Sequence, residues 1–288
     1  MKTGLVLEGG AMRGMYTAGV LDVFMEHGLL FDGIIGVSAG ALFGVNYLSG
    51  QKGRVIRYNK RYNADKNYLG LRPLLRTGNI VDTEYAYHRV PCELDVFDDA
   101  AYRASGVPFY AVVTNMETAM SEYIQIKSVF EQMDVLRASG SMPFVSRPVE
   151  IDGKKYLDGA VTDSIPFEHF MEMGYDRLIV VLTKPAGYVK KPIPAILPRL
   201  YYAKEYPKFA SRVGQRHVMY NQTMQRLEYL EKQGHLIVLR PSQIIPISRT
   251  EKNPDKLQAL YDVGVRDARG RMEQVREYLK AEKFDFQQ

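Results

Sequence analysis

Three short stretches contain the residues whose types and order could carry chemistry. Gly36-Val37-Ser38-Ala39-Gly40 fits the pattern G-x-S-x-G, in which a serine sits on a sharp strand-to-helix turn. Gly36 and Gly40 lack the Cβ atoms that would crowd such a turn, so the serine hydroxyl is lifted clear at the carboxyl edge of a sheet. The helix that follows adds an amino-terminal dipole that favours developing negative charge. On its own the motif reads equally well as an ordinary Gly-Ser turn. The second stretch, Gly9-Gly10-Ala11-Met12-Arg13-Gly14, would present consecutive backbone N–H groups. Such a turn suits either a phosphate or the oxyanion of a tetrahedral intermediate. The third, Asp158-Gly159-Ala160, follows the strand-like Lys155-Tyr156-Leu157 and by itself reads as a turn.

Several competing chemistries lack their residues. A dinucleotide site wants G-x-G-x-x-G and an acid at the end of the second strand, whereas the glycine spacing differs here and that strand ends in Gly36-Val37-Ser38. No G-x-x-x-x-G-K-[ST] run is present. The single cysteine, Cys92, excludes an internal disulfide, and neither zinc-ligand spacing nor an EF-hand loop occurs. No metal or organic cofactor is expected. Of the five histidines, His217 and His235 follow the serine and the aspartate in Ser…Asp…His order, but each reads first as a surface or packing residue, as do His27, His88 and His169.

The elements that must hold these stretches follow from hydrophobic periodicity. Strands are expected over 3–8, 32–37, 109–115, 122–126, 149–157, 178–183 and 236–240. Helices are expected over 13–26, 39–48, 129–139, 166–173, 213–232 and 256–280. Strands alternating with helices imply an α/β fold, a three-layer sandwich around a largely parallel central sheet. Hydrophobic residues at 46% and charged residues at 25% are ordinary for a globular chain. One domain over 1–288 is expected, with about 184–288 a helical and basic extension packed on the rest. Residues 184–207 are the least regular, with five prolines interrupting any long helix. That segment suits a surface loop, or a lid or membrane-contacting loop.

Charge is uneven. Residues 52–76 hold eight Lys/Arg against Asp65, and 184–216 hold eight against Glu205. Such segregation suits contact with an anionic membrane, although each stretch alone reads as a solvated surface. No recognition motif or stacking platform accompanies the basic stretches, so no nucleic-acid partner is expected. The apolar run after Met1-Lys2 is too short for a signal-peptide core, and no segment approaches the ~20 apolar residues that span a bilayer. A cytoplasmic chain, soluble or peripheral at the membrane, is the expectation.

Taken together and in order, the three stretches resemble the patatin-like phospholipase family, whose pattern is G-G-G-x-[RK]-G, then G-x-S-x-G, then D-G-[GA]. The resemblance runs over roughly residues 3–183 and includes Ala138-Ser139-Gly140-Ser141-Met142-Pro143, similar to that family's small-residue stretch ahead of the aspartate. It implies that Ser38 attacks an acyl ester of a lipid while Asp158 takes its proton directly, without a histidine. It also implies an oxyanion hole of Gly10 and Ala11, with Gly9, Arg13 and Gly14 supporting the loop. Ala11 departs from the pattern, standing where the family usually has a third glycine. Arg13 reads first as tied to carbonyls or to Glu8, and second as a contact for lipid phosphate. A carboxylate of ordinary pKa, ~3.9, is a poor base toward serine, so Asp158 is expected to be desolvated. Two other outcomes share these motifs: acyl transfer to an alcohol through Ser38, and a non-catalytic phosphate or head-group binding module.

Overall fold

A computed structural model describes residues 1–280; the last residues of the expected single domain, 281–288, lie outside the described residues. The chain runs β1 (Lys2–Leu7), α1 (Met15–Glu26), β2 (Gly33–Val37), α2 (Ala39–Leu48), α3 (Arg54–Tyr62), α4 (Leu71–Thr77), α5 (Asp99–Ala104), β3 (Phe109–Asn115) and β4 (Ser121–Ile126). It continues through α6 (Met133–Gly140), β5 (Val149–Ile151), β6 (Lys154–Asp158), α7 (Phe167–Glu172), β7 (Tyr175–Val181), α8 (Ile196–Tyr202), α9 (Pro207–Lys232), β8 (Leu236–Leu239) and α10 (Pro254–Lys280). The strands form one sheet in the order β5-β6-β3-β2-β1-β7-β8, with β4 also on β3. β3, β2, β1, β7 and β8 are mutually parallel, and β4, β5 and β6 pair antiparallel. The fold is therefore an α/β sandwich with a mostly parallel central sheet.

Alternation along each strand divides the core. Leu5, Leu7, Ile34, Ile179 and Val181 face the layer that holds α1, α2 and α10. Val6, Ile35, Val37, Val180 and Val238 face the opposite layer, where Phe167 and Phe170 of α7 and Tyr220, Met224 and Leu227 of α9 cover them. Covering both faces explains why these strands read as continuous apolar runs. The chain after residue 184 takes part in all three layers, through β8 beside β7, α9 on one face and α10 on the other. α10 lies so close to α1 that a Cβ on Gly19 would come within 2.2 Å of Tyr261 O, and one on Gly264 within 2.2 Å of Tyr16 O. Among the described residues no helix is long and apolar enough to cross a membrane.

The structure departs from the sequence reading in three places. The expected single strand over 149–157 is a hairpin, because Asp152 and Gly153 both adopt positive φ, 50° and 74°, and reverse the chain in two residues. The interval 49–108, for which no element was expected, contains α3, α4 and α5 and a π-helical stretch, Tyr85–Leu94, with Pro91 inside it. The irregular 184–207 segment contains α8, and α9 begins at Pro207, a residue suited to a helix's first turn.

Candidate active site

Where β2 ends decides where the site lies. β2 pairs with one edge of β3 from Ile34–Phe109 to Val37–Val112. β4 occupies the other edge of β3 along its length, so β6 can reach β3 only on the β2 edge, beyond Val37. It does so from the next residue, Val113, whose partner is Asp158. The chain of β2 must turn out of the sheet at Ser38, at the point where β6 delivers Asp158.

Ser38 makes that turn at φ 55° and ψ −122°, a conformation L-residues rarely adopt and one that persists only when surroundings enforce it. The surroundings are specific. Ser38 N–H donates to Ser139 Oγ at 2.9 Å, and the Ser139 hydroxyl donates to Val112 O at 2.7 Å. A Cβ on Gly40 would stand 2.3 Å from Leu7 O, and one on Gly36 2.6 Å from Gly40 O. Both motif glycines are thus required by close backbone approach, and neither has positive φ. Ser139 belongs to the small-residue stretch visible in the sequence, but its part as anchor of the Ser38 amide was not foreseen.

Ser38 Oγ donates to Asp158 Oδ2 at 2.9 Å, and both residues are buried, at 5% and 3% exposure. Asp158 Oδ1 accepts from Ala160 N at 2.8 Å, and its own N–H donates to Ser141 O at 2.8 Å. Burial raises the Asp158 pKa above its ordinary 3.8, against the opposing pull of Arg216, the Ala160 N–H, the Ser38 hydroxyl and Arg249. The expected desolvation is present. Among the described residues no histidine stands between Ser38 and Asp158; His217 lines the same cavity, with Nδ1 at 3.1 Å from Gly214 O.

The glycine-rich loop lies directly against the serine. A Cβ on Gly9 would fall 2.9 Å from Ser38 Cβ, one on Gly10 2.5 Å from Thr183 Oγ1, and one on Gly14 2.7 Å from Phe43. Gly10 has extended φ, −175°, and Ala11 then enters the left-handed region at φ 49° and begins a 3-10 turn to Gly14. The alanine therefore occupies the backbone conformation that a third glycine would favour. Arg13 N–H donates to Gly10 O at 3.1 Å, while among the described residues the Gly10 and Ala11 amides donate to no protein acceptor. The Arg13 guanidinium lines the cavity and forms no ion pair with Glu8 among the described residues, unlike the tie expected from sequence.

A family model described as patatin-like phospholipase matches residues 5–171, more than half of the chain. The chain belongs to the patatin-like phospholipase family. Its relatives include the uncharacterized protein YjjU of Escherichia coli K12, 32% identical over 63% of this chain and 52% of its own length. Lysophospholipase nte1 of Aspergillus niger is 27% identical over 62% of this chain and 12% of its own. VipD from Legionella pneumophila, a solved structure, covers 91% of this chain and 67% of its own at a TM-score of 0.40 and 13% identity. This chain thus spans about half of YjjU and a small part of nte1. Residues 206–280 match a second model, a domain of unknown function.

In this patatin-like chain Ser38 stands where two cavities meet. One, of about 130 Å³, is apolar and runs past Leu42, Phe43, Tyr68, Val90, Leu136 and Met142. The other, of about 470 Å³, is the more polar of the two, with charged side chains among apolar ones, and is walled by the glycine-rich loop, the segment after β7, α9 and Arg249. Glu8, 2% exposed, ties these walls: Oε2 accepts from Thr183 N at 2.5 Å and lies 3.0 Å from Thr183 Oγ1, and Oε1 accepts from the Tyr220 hydroxyl at 2.8 Å. Thr183 Oγ1 is also 2.9 Å from Gly9 O, so its single proton is shared between the two acceptors. In the basic stretch 52–76 seven of the eight Lys/Arg are exposed, as on a solvated surface, and Arg54 alone among them is buried and pairs with Asp95 at 3.3 Å. Among the described residues no group of three or more His, Cys, Asp or Glu is placed to hold a metal ion.

The raised Asp158 pKa has a consequence for stability. The folded protein holds a proton that the unfolded chain releases, so stability falls as pH rises from the unfolded value through the folded one. Above that window the fold contains a buried carboxylate. Asp158→Asn removes the charge, keeps the Ala160 N–H bond through its carbonyl oxygen and reverses the other, its amide donating to Ser38 Oγ, so its melting temperature is expected above wild type at pH 8. The gain should shrink as pH falls toward the ordinary carboxylate range; an Asn variant less stable at pH 8 contradicts the assignment of burial as the dominant effect.

Proposed function

We propose that this chain is a serine acyl hydrolase acting on lipid esters, with Ser38 as nucleophile and Asp158 as base. The observation that carries the reading is the direct 2.9 Å hydrogen bond between these two side chains at the junction of an apolar and a polar cavity. The ester's acyl chain enters the apolar cavity, which places the carbonyl at Ser38. Ser38 Oγ attacks the carbonyl carbon as its proton passes to Asp158, and the resulting oxyanion lies between the Gly10 and Ala11 amides. Collapse expels the alcohol, which takes the proton from Asp158. Water then attacks the acyl-enzyme, giving its proton to Asp158; the acid leaves and Ser38 regains the proton. Burial suits Asp158 to this exchange, because a raised pKa makes the carboxylate a stronger base. Family membership and the lysophospholipase name of a relative support lipid esters as the substrates.

The test is hydrolysis of acyl esters, from short p-nitrophenyl esters to lysophospholipids, by wild type and by folded Ser38→Ala and Asp158→Asn. Wild type should turn over at least one ester, and each variant should lose at least ~10³-fold in kcat/KM. No turnover of any ester, or full activity in Ser38→Ala, overturns the reading.

The polar cavity opens beside α8, where Ile196, Leu200 and Tyr201 are exposed among the exposed cations Lys191, Arg199, Lys204 and Lys208. This mixture of apolar and cationic groups supports peripheral contact with an anionic membrane, which would bring the site to its substrate. Wild type should sediment with phosphatidylserine-containing vesicles at low salt, and Leu200→Glu with Tyr201→Glu should stay in the supernatant. Equal recovery of both proteins with the vesicles contradicts the contact.

A further inference from the structure

The polar cavity beside Ser38 is strongly cationic. Among the described residues Arg13, Lys184, Lys190, Lys191, Arg216 and Arg249 line it, against two carboxylates, Glu8 and Asp158. Both carboxylates are already engaged: Glu8 accepts from Thr183 and Tyr220, and Asp158 from Ala160 and Ser38.

The cations, by contrast, lack partners of opposite charge. Among the described residues none of the six makes an ion pair. Lys184 Nζ donates to Thr183 Oγ1 at 3.0 Å, and Lys190 Nζ sits 4.3 Å from the Tyr220 ring centroid. Arg216 Nε is buried and, among the described residues, has no acceptor. A buried donor left unmade is destabilising, and a guanidinium so placed is a rarity that a ligand oxygen would relieve. Burial, with too little compensating negative charge, lowers Lys184 to about 8 and Lys190 to about 7. The fold thus holds several desolvated cations around one cavity whose two carboxylates are already engaged by other donors.

We propose that Lys184, Lys190, Arg216 and Arg249 form a phosphate-binding subsite beside Ser38, so that the ester cleaved there carries a phosphorylated head group of net negative charge. This deepens the lipid-ester reading and rests on it. A phosphate offers several oxygens to convergent donors, and the arginine fork matches its geometry. Because Ser38 opens into the same cavity, the phosphate and the scissile ester belong to one molecule. Among the described residues lining the cavity, neither carboxylate is free for a head group bearing an ammonium. The subsite also gives the chain after residue 171 a task. Lys184 and Lys190 lie just beyond β7, and Arg216 and Arg249 fall within the stretch that matches only a domain of unknown function.

The experiment compares kcat/KM for a 1-acylglycerol 3-phosphate and the monoacylglycerol of the same chain, and titrates glycerol 3-phosphate and inorganic phosphate by calorimetry. Wild type should prefer the phosphorylated ester by about tenfold or more, in line with charge-assisted hydrogen bonds. Lys190→Gln with Arg249→Gln should lose most of that preference and weaken binding of both soluble phosphates by a similar factor. Lys190→Arg with Arg249→Lys, which keeps the charge, should retain both. If the soluble phosphates bind in a charge-dependent way but the two esters are cleaved equally, the subsite stands as a site for free phosphate and the head-group assignment falls. If no ester is cleaved while charge-dependent phosphate binding persists, the hydrolase reading fails and the subsite survives. Equal turnover of the two esters together with no phosphate binding overturns the proposal.

Discussion

One edge of β3 is shared in succession by two strands running in opposite directions, and the site exists because of that junction. β2 uses the edge up to Val112 and β6 from Val113 onward, so the chain must leave the sheet at Ser38 where Asp158 arrives. Residues 120 apart in sequence are brought to 2.9 Å by backbone pairing, and side-chain flexibility has little part in it. The small-residue stretch at the end of α6 then fixes both partners: Ser139 holds the Ser38 amide, and Ser141 O receives the Asp158 amide. Displacing β6 by one residue would turn Asp158 to the other face of the sheet.

The same junction concentrates features that do not favour stability. A non-glycine residue sits at positive φ, a carboxylate is buried with a raised pKa, and cations that make no ion pair among the described residues line a cavity. Such features accumulate where chemistry needs a pre-set geometry, and the rest of the fold compensates for them. Here the compensation is the sheet's doubly covered core and the Glu8 network. A single carboxylate at the end of β1 engages Thr183 beyond β7 and Tyr220 on α9. It thereby links the region matched by the family model to the region after it, and both regions wall the polar cavity.

Most of what the sequence made legible was local. The Gly-x-Ser-x-Gly turn and the glycine-rich loop follow strands that read as apolar runs, Asp158-Gly159 follows the strand-like Tyr156-Leu157, and helix α2 falls at the expected Ala39–Leu48 because its residues are mostly small or apolar. What escaped was set by tertiary contact. Ser139 is one serine among several small residues until Val112 O and the Ser38 amide are placed beside it. Lys184, Arg216 and Arg249 are ordinary surface types until three separate segments meet at one cavity. The hairpin at Asp152-Gly153 carried its signal, an Asp-Gly pair, but Val149 and Ile151 before it and Tyr156 and Leu157 after it read together as one strand. The interval 49–108 was opaque for another reason: its helices are short, and a proline lies inside the π-helical stretch.

The central claim is that Ser38 is a nucleophile activated directly by Asp158. A serine-directed fluorophosphonate followed by peptide mass spectrometry tests it without knowledge of the substrate. The account expects one adduct, on Ser38, formed quickly by wild type and far more slowly by folded Asp158→Asn. An adduct at another residue, no adduct, or equal labelling rates in the two proteins would contradict it.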